Sequence, residues 1–176
     1  MRIISGKHKG RRIQPPVKLP VRPTTDVAKE GLFNILMSRI DFEELQVIDL
    51  FAGTGNISFE FASRGAPRIT SVDQNHQCIS FISEFAKKLD MSSIRAIRAD
   101  VIRFLERSDE AADLIFADPP YDFQHHGRII QLVFERQLLK ENGMLILEHG
   151  KDKDFSKIEG FREQRKYGHV MFSFFS

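Results

Sequence analysis

Val47-Ile48-Asp49-Leu50-Phe51-Ala52-Gly53-Thr54-Gly55-Asn56 decides the fold of this chain. A short apolar run breaks off at a glycine-rich turn, and a helix opens at once beyond it. Such a strand–turn–helix step is the first half of a βαβ unit. The same pattern repeats along the chain. Arg68 to Val72 is rich in β-branched residues and ends at Asp73, Ile94 to Ala99 ends at Asp100, and Leu114-Ile115-Phe116-Ala117 ends at Asp118. Met144 to Leu147 ends at Glu148. Helix-length segments separate these runs. Across Gln74 to Leu89, Cys78, Ile82, Phe85 and Leu89 recur at helical spacing, and Gly127 to Leu139 carries Ile130, Val133 and Phe134 on one side. Strands alternating with helices predict a mainly parallel sheet covered on both faces. Right-handed crossovers then bring every strand's carboxyl end to one edge. Arg162 to Tyr167 and Val170 to Phe175, joined by Gly168-His169, predict a closing antiparallel hairpin.

Upstream, Thr25 and Asp26 are capping residues for a helix running through Leu32, Phe33, Ile35 and Leu36, and Asp41 to Gln46 reads as a connector. Pro15, Pro16, Pro20 and Pro23 keep the preceding stretch extended. Arg2 to Ile13, with Gly6 and Gly10 bounding its turn, reads as a small hairpin. The expected division is a basic hairpin arm and extended lead over residues 1–25, followed by an α/β domain over 26–176.

The 176 residues suit one domain with one sizeable core, and the 41% hydrophobic and 28% charged fractions are ordinary for a globular chain. No apolar run is long enough for a membrane span. The basic start lacks the apolar stretch of a signal peptide, and one cysteine, Cys78, excludes a disulfide framework or a cysteine-rich zinc site. A reducing, cytoplasmic setting and a monomer are the expectations. The net charge of +2 conceals an asymmetry. Residues 1–25 hold seven Lys or Arg and no acid, which leaves nineteen basic against twenty-four acidic residues beyond them. Clustered cations interleaved with Gly, Pro and apolar residues suit the phosphates of a nucleic acid, and Arg2, Lys7, Lys9, Arg11 and Arg12 are the candidate contacts.

In open α/β sheets ligands bind beyond the carboxyl ends of the strands, where four acids stand in succession. Glycines after Asp49 let backbone approach a ligand, with Phe51, Ala52, Gly53, Thr54 and Gly55 forming the turn. A dinucleotide fingerprint requires a third glycine at position 58, where Ser58 stands. The carboxylate of Asp49 favours a cationic ligand over a pyrophosphate, and S-adenosylmethionine carries a sulfonium and an ammonium group. Asp73, followed by Gln74, is placed to accept hydrogen bonds from ribose hydroxyls. Asp100, followed by Val101, is placed to meet the adenine amino group. Each acid doubles as a helix cap.

Asp118-Pro119-Pro120-Tyr121 is the most discriminating segment. An aromatic amine is a poor nucleophile because its lone pair is delocalised. It needs acceptors for both hydrogens, and the Asp118 carboxylate and the Pro119 carbonyl can provide them from a rigid turn. Tyr121 can stack on the target base. His8 reads as a solvent-exposed loop histidine rather than a phosphate contact, and His125 and His126 carry no metal reading, since adjacent residues on a helix point in different directions. Cys78 and most of the sixteen phenylalanines belong to the core.

With those residues assembled, the chain resembles the RsmD type of bacterial 16S ribosomal RNA guanine-N2 methyltransferase. The resemblance rests on Arg2-Ile3-Ile4-Ser5-Gly6-Lys7-His8-Lys9-Gly10, Arg22-Pro23-Thr24-Thr25-Asp26, Leu32-Phe33-Asn34-Ile35-Leu36, the glycine turn, the Asp118 turn and Arg165-Lys166-Tyr167-Gly168. It implies a Rossmann-like class I methyltransferase fold with a seven-stranded sheet, S-adenosylmethionine as cofactor, no metal, and 16S rRNA in the 30S subunit as partner. It also implies that Arg22, Thr24 and Thr25 lie over the entrance to the site. The chain departs from the family at Ser5, Val27 and Ala28. Three rival readings remain at this point. One is an adenine N6 or cytosine N4 methyltransferase on DNA or another RNA, disfavoured because little length is left for a recognition domain. The others are a nicotinamide-dependent oxidoreductase, disfavoured by Ser58, and a catalytically silent RNA-binding module, disfavoured by the intact set of acids.

Overall fold

The computed structural model describes residues 1–15 and 25–176. Strand β1 (Gln46–Leu50) lies mid-sheet, hydrogen-bonded in parallel to β2 (Arg68–Asp73) on one side and β4 (Ala112–Ala117) on the other. Beyond β2 lies β3 (Ile94–Arg98), and beyond β4 lies β5 (Leu139–Gly150). The terminal pair, β6 (Phe161–Tyr167) and β7 (Val170–Phe175), closes the sheet, with β7 antiparallel to both β5 and β6. The order β3-β2-β1-β4-β5-β7-β6 is the expected seven-stranded, mostly parallel sheet. Crossovers leave β1 in one direction and return at β4 in the other, so the connections leaving the paired carboxyl ends of these two strands diverge and open a crevice beyond them.

Helices cover both faces because the central strands are apolar on both sides. Helices α4 (Val101–Arg107) and α5 (His126–Glu135) send Val101, Leu105, Ile129, Ile130 and Val133 onto Ile48, Leu50, Ile115 and Leu147. On the other face, α1 (Asp26–Met37) and α2 (Asn56–Ser63) pack Leu32, Phe33, Leu36 and Phe61 against Val47, Phe116 and Ile146. Thr25 caps α1 by accepting the Ala28 N–H at 3.2 Å, as its side-chain type predicts. Helix α3 (His76–Lys88) buries Cys78, Ile82 and Ala86.

Three local differences from the sequence reading have physical causes. Asn75, not Asp73, caps α3, accepting the N–H groups of Gln77 and Cys78. The segment expected as helix to Leu139 stops at Glu135, because Gln137 turns left-handed (φ 52°) and Leu139 already pairs with Ala112. The first hairpin keeps one bridge, Arg2 to Arg12, rather than two regular strands. Three backbone bonds still hold it, from the N–H of Ile3, Gly10 and Ile13 to the carbonyls of Arg11, Ile3 and Met1.

That hairpin is bound tightly to the body. Ile3 and Ile13 are buried against Phe59, Ile82, Leu89 and Met91. Glu60, wholly buried in α2, accepts the N–H groups of Ile4 (2.9 Å) and Ser5 (3.1 Å). Its charge is met by Lys29 at 3.4 Å and Arg64 at 3.0 Å. The Lys29 ammonium, also wholly buried, donates to the Arg2 carbonyl (2.6 Å) and to Asn56 Oδ1 (2.8 Å). A Cβ on Gly6 would lie 1.8 Å from the Ser63 carbonyl oxygen, so only glycine permits this approach.

Candidate active site

A cleft of about 810 Å³ opens at the carboxyl edge, in the crevice between β1 and β4. That volume is of the size that takes a nucleotide-like ligand. Its floor is built from the glycine turn. Phe51 adopts φ 58° there, a conformation disfavoured for a side chain as large as phenylalanine. The Phe51 ring packs edge-on against Phe123 with centroids 5.1 Å apart, and the Ala52 N–H is bonded to the Val72 carbonyl. Gly53 and Gly55 both lie at positive φ. Gly55 does not line the cleft. It is the N-cap of α2, and a Cβ there would meet the Phe59 ring at 2.8 Å.

The expected carboxylates do gather around this floor. Asp49 is 2% exposed, and its Oδ2 accepts both the Ser58 N–H (3.1 Å) and the Ser58 hydroxyl (2.5 Å). The Ser58 hydroxyl also lies 2.6 Å from that of Ser71. Burial, opposed by these hydrogen bonds, pushes the Asp49 carboxyl up to about 7, and the nearby Asp118 and Asp73 charges add to the rise. A cation beside Asp49 reverses that penalty. Asp73 Oδ2 accepts the Gly53 N–H at 2.8 Å, and its Oδ1 accepts that of Asn75, which fixes the carboxylate at the cleft wall. Gln74 and Val101 line the same wall, and so does Asp100, which also caps α4 by accepting the Arg103 N–H.

On the opposite wall the chain leaves β4 through Asp118-Pro119-Pro120-Tyr121, all four lining the cleft. The Asp118 N–H reaches the Leu50 carbonyl at 3.4 Å, and the Phe123 N–H closes a turn on the Pro120 carbonyl at 2.9 Å. Tyr121 is 86% exposed, an aromatic ring standing at the mouth of the cleft. Thr25 also reaches the cleft, so α1 starts at its rim. Arg22 and Thr24 lie outside the described residues.

Several lining residues were not singled out in the sequence. Glu148 and His149, at the end of β5, stand beside the Asp118 turn, with Lys153, His169 and Val170 near them. His149 is fixed by contacts of 2.8 Å to the Gly150 carbonyl and the Ser173 hydroxyl, and burial lowers its basicity. Glu148, two residues before the end of β5, was the available signal, but the turn after it, closed by the Lys153 N–H on the Gly150 carbonyl at 3.3 Å, carries neither a Gly-x-Gly nor a Pro-Pro signature. His126, buried against Phe123 and Phe155, is pushed down to about 4 by burial. Among the described residues no cluster of three metal-ligating side chains occurs.

The basic arm faces outward. Arg2, Lys7, Lys9, Arg11 and Arg12 are all exposed, and Arg2 pairs with Asp26 at 3.6 Å. His8 is tied down by its N–H to the Ser63 hydroxyl, and partial burial followed by the Lys7 and Arg11 charges lowers its basicity.

The residues present fit S-adenosylmethionine. A buried carboxylate poised to gain from a cation, a second carboxylate fixed along the wall, and a turn made approachable by Gly53 form one continuous cradle.

Comparison with known proteins agrees with this geometry. A family model described as conserved hypothetical protein 95 matches residues 1–176. A Bacillus subtilis protein called "Putative rRNA methyltransferase YlbH" is 32% identical over 164 residues, covering 91% of this chain and 88% of its own. "Ribosomal RNA small subunit methyltransferase D" of Haemophilus influenzae is 33% identical over 157 residues, covering 87% and 80%. Among solved structures, a "putative methylase" from Haemophilus influenzae superposes with a TM-score of 0.80 at 28% identity, covering 99% of this chain and 96% of that one. The chain therefore belongs to the conserved hypothetical protein 95 family of RsmD-type, class I methyltransferases.

Proposed function

We propose that this chain transfers a methyl group from S-adenosylmethionine to the exocyclic N2 of a guanine in 16S rRNA of the small ribosomal subunit. The observation that carries this reading is the Asp118-Pro119-Pro120-Tyr121 turn, set across one cleft from Asp49, Asp73 and Asp100. The names of the ribosomal RNA methyltransferase relatives support the choice of RNA.

When bound, S-adenosylmethionine supplies an electrophilic methyl on a positively charged sulfur. Asp49 takes the ammonium end, Asp73 the ribose hydroxyls, and Asp100 with Val101 the adenine. The Asp118 carboxylate and the Pro119 carbonyl accept the two hydrogens of the target amine, which directs the nitrogen lone pair toward the methyl. Pro120 holds this geometry rigid, so most of the effect is orientation rather than strong base catalysis. The nitrogen–carbon bond would form as the methyl's carbon–sulfur bond breaks, leaving a neutral thioether, and the surplus proton would then leave the nitrogen with Asp118 as its first acceptor. Tyr121 stacks on the base drawn into the cleft. Arg2, Lys7, Lys9, Arg11 and Arg12, with Arg22, Thr24 and Thr25 at the entrance, hold the RNA backbone.

The test is methyl transfer from labelled S-adenosylmethionine to undermethylated 30S subunits, naked 16S RNA and DNA, with nucleoside analysis of the product. N2-methylguanosine from the ribosomal substrates is the expected result. N6-methyladenine or N4-methylcytosine, from DNA or RNA, would replace this reading with the rival one.

A further inference from the structure

We infer that Glu148 is the group that selects guanine, by accepting the hydrogen bond of its N1–H while the Asp118 turn holds N2. The inference deepens the proposed function and rests on its guanine target.

Three observations converge on Glu148. The first is register. In the parallel pair β4–β5, Phe116 lies opposite Ile146 and Ala117 opposite Leu147, so the next step places Asp118 beside Glu148. Neighbouring strands are about 4.8 Å apart, and residues two apart point to the same side of a sheet. Asp118 and Glu148 thus follow Phe116 and Ile146, which share one face. The second is placement. Glu148 is only 7% exposed yet lines the cleft, on the side of Asp118 away from Asp49 and Asp73. The third is the ring. The Tyr121 Cε2 lies 3.9 Å from where a Cβ on Gly150 would stand, so the tyrosine leans over the end of the same strand. A base stacked beside Tyr121 presents its edge between Asp118 and the end of β5.

The chemistry of that edge decides which base fits. Next to its amino group guanine carries N1–H, a donor. Adenine carries N1 next to its amino group, and cytosine carries N3, and both of those are acceptors. A carboxylate accepts and cannot donate. Opposite guanine it makes a charge-assisted hydrogen bond, and opposite adenine or cytosine two lone pairs face each other in a poorly solvated cleft. Asp118 alone does not discriminate, since an amino hydrogen is the same donor on all three bases.

The test exchanges the hydrogen-bond sense on both sides. A small-subunit rRNA fragment that the enzyme methylates is prepared with guanine, or with 2-aminopurine, at the modified position. 2-Aminopurine keeps the amino group but has an acceptor at N1. Wild-type enzyme is expected to prefer guanine by roughly 10- to 100-fold in kcat/KM, the discrimination usual for a matched base contact. Glu148→Gln, whose amide donates to an N1 acceptor, is expected to lose that preference or invert it. S-adenosylmethionine affinity, followed by calorimetry, should stay within about threefold, which separates the effect from misfolding. An unchanged guanine to 2-aminopurine ratio in Glu148→Gln overturns the inference even if total activity falls. A failure of the guanine target itself has a different signature, because the wild-type product would then be a methylated adenine or cytosine.

Discussion

Ser58 donates two hydrogen bonds to one oxygen of Asp49, from its backbone N–H at 3.1 Å and its hydroxyl at 2.5 Å. The residue that breaks the dinucleotide fingerprint is therefore the one that orients the carboxylate under the glycine turn. With Oδ2 so occupied, Oδ1 is the oxygen left to face a ligand cation. The Asp49 carboxyl titrates near 7 because burial outweighs those two bonds.

A pH dependence follows. Below about 7 the folded protein holds Asp49 protonated, and an ammonium group gains nothing from it. S-adenosylmethionine affinity should rise with pH up to about 7, by at most tenfold per pH unit for a single proton. Asp49→Asn should flatten this rise. The same raised pKa makes the fold lose stability between about 3.8 and 7 as the unfolded chain ionises first, and the loss stops above 7. Ser58→Ala should move the binding midpoint upward, since a donor to the ionised form is gone. Calorimetric titration between pH 5.5 and 8 checks both variants, and an Asp49→Asn profile that still climbs would assign the dependence to another group.

Lys29 bridges the arm to the glycine-turn helix through the Arg2 carbonyl, Asn56 and Glu60. Removing one member of a buried ion pair typically costs about 3–5 kcal/mol. Lys29→Met should destabilise the protein by that order in urea melts. It should also speed tryptic cleavage after Lys7, Lys9 and Arg11 more than cleavage elsewhere. Uniform acceleration at all sites would mean the arm is not specifically released.

Arg11 and Arg12 are exposed on the arm and form no ion pair among the described residues. Replacing both with alanine should weaken RNA binding and reduce the slope of log affinity against log salt by roughly 0.7 for each phosphate no longer neutralised. Filter binding at 50 to 300 mM salt measures the slope. An unaltered slope would remove these two residues from the RNA interface.

The strand-and-turn frame was legible because it is written locally. Strands β1 to β4 lie within a residue or two of where their apolar runs place them, and β1 and its turn follow directly from Val47 to Gly55. Boundaries set by tertiary pairing were not legible. The left-handed turn at Gln137 that frees Leu139 for β5 has no glycine to announce it. Nor could the sequence show that Glu60 and Lys29, thirty-one residues apart, bury their charges to bind the arm. Of the cleft lining, the residues with turn chemistry were legible. Glu148, His149 and Lys153 were missed because they reach the cleft only through the β4–β5 register and the antiparallel seat of β7.

The cleft holds the cofactor on one wall and the target amine on the other, and Asp118→Ala separates the two roles. Single-turnover methyl transfer to 30S subunits and S-adenosylmethionine affinity are measured on the same preparation. Transfer should fall by roughly 100- to 1000-fold, the usual effect of removing one preorganised acceptor or donor at a reacting centre. Cofactor affinity should change by less than about threefold. A variant that loses cofactor binding in proportion to transfer would make Asp118 a cofactor-binding residue, and one that keeps near-normal transfer would remove it from the methyl-transfer step.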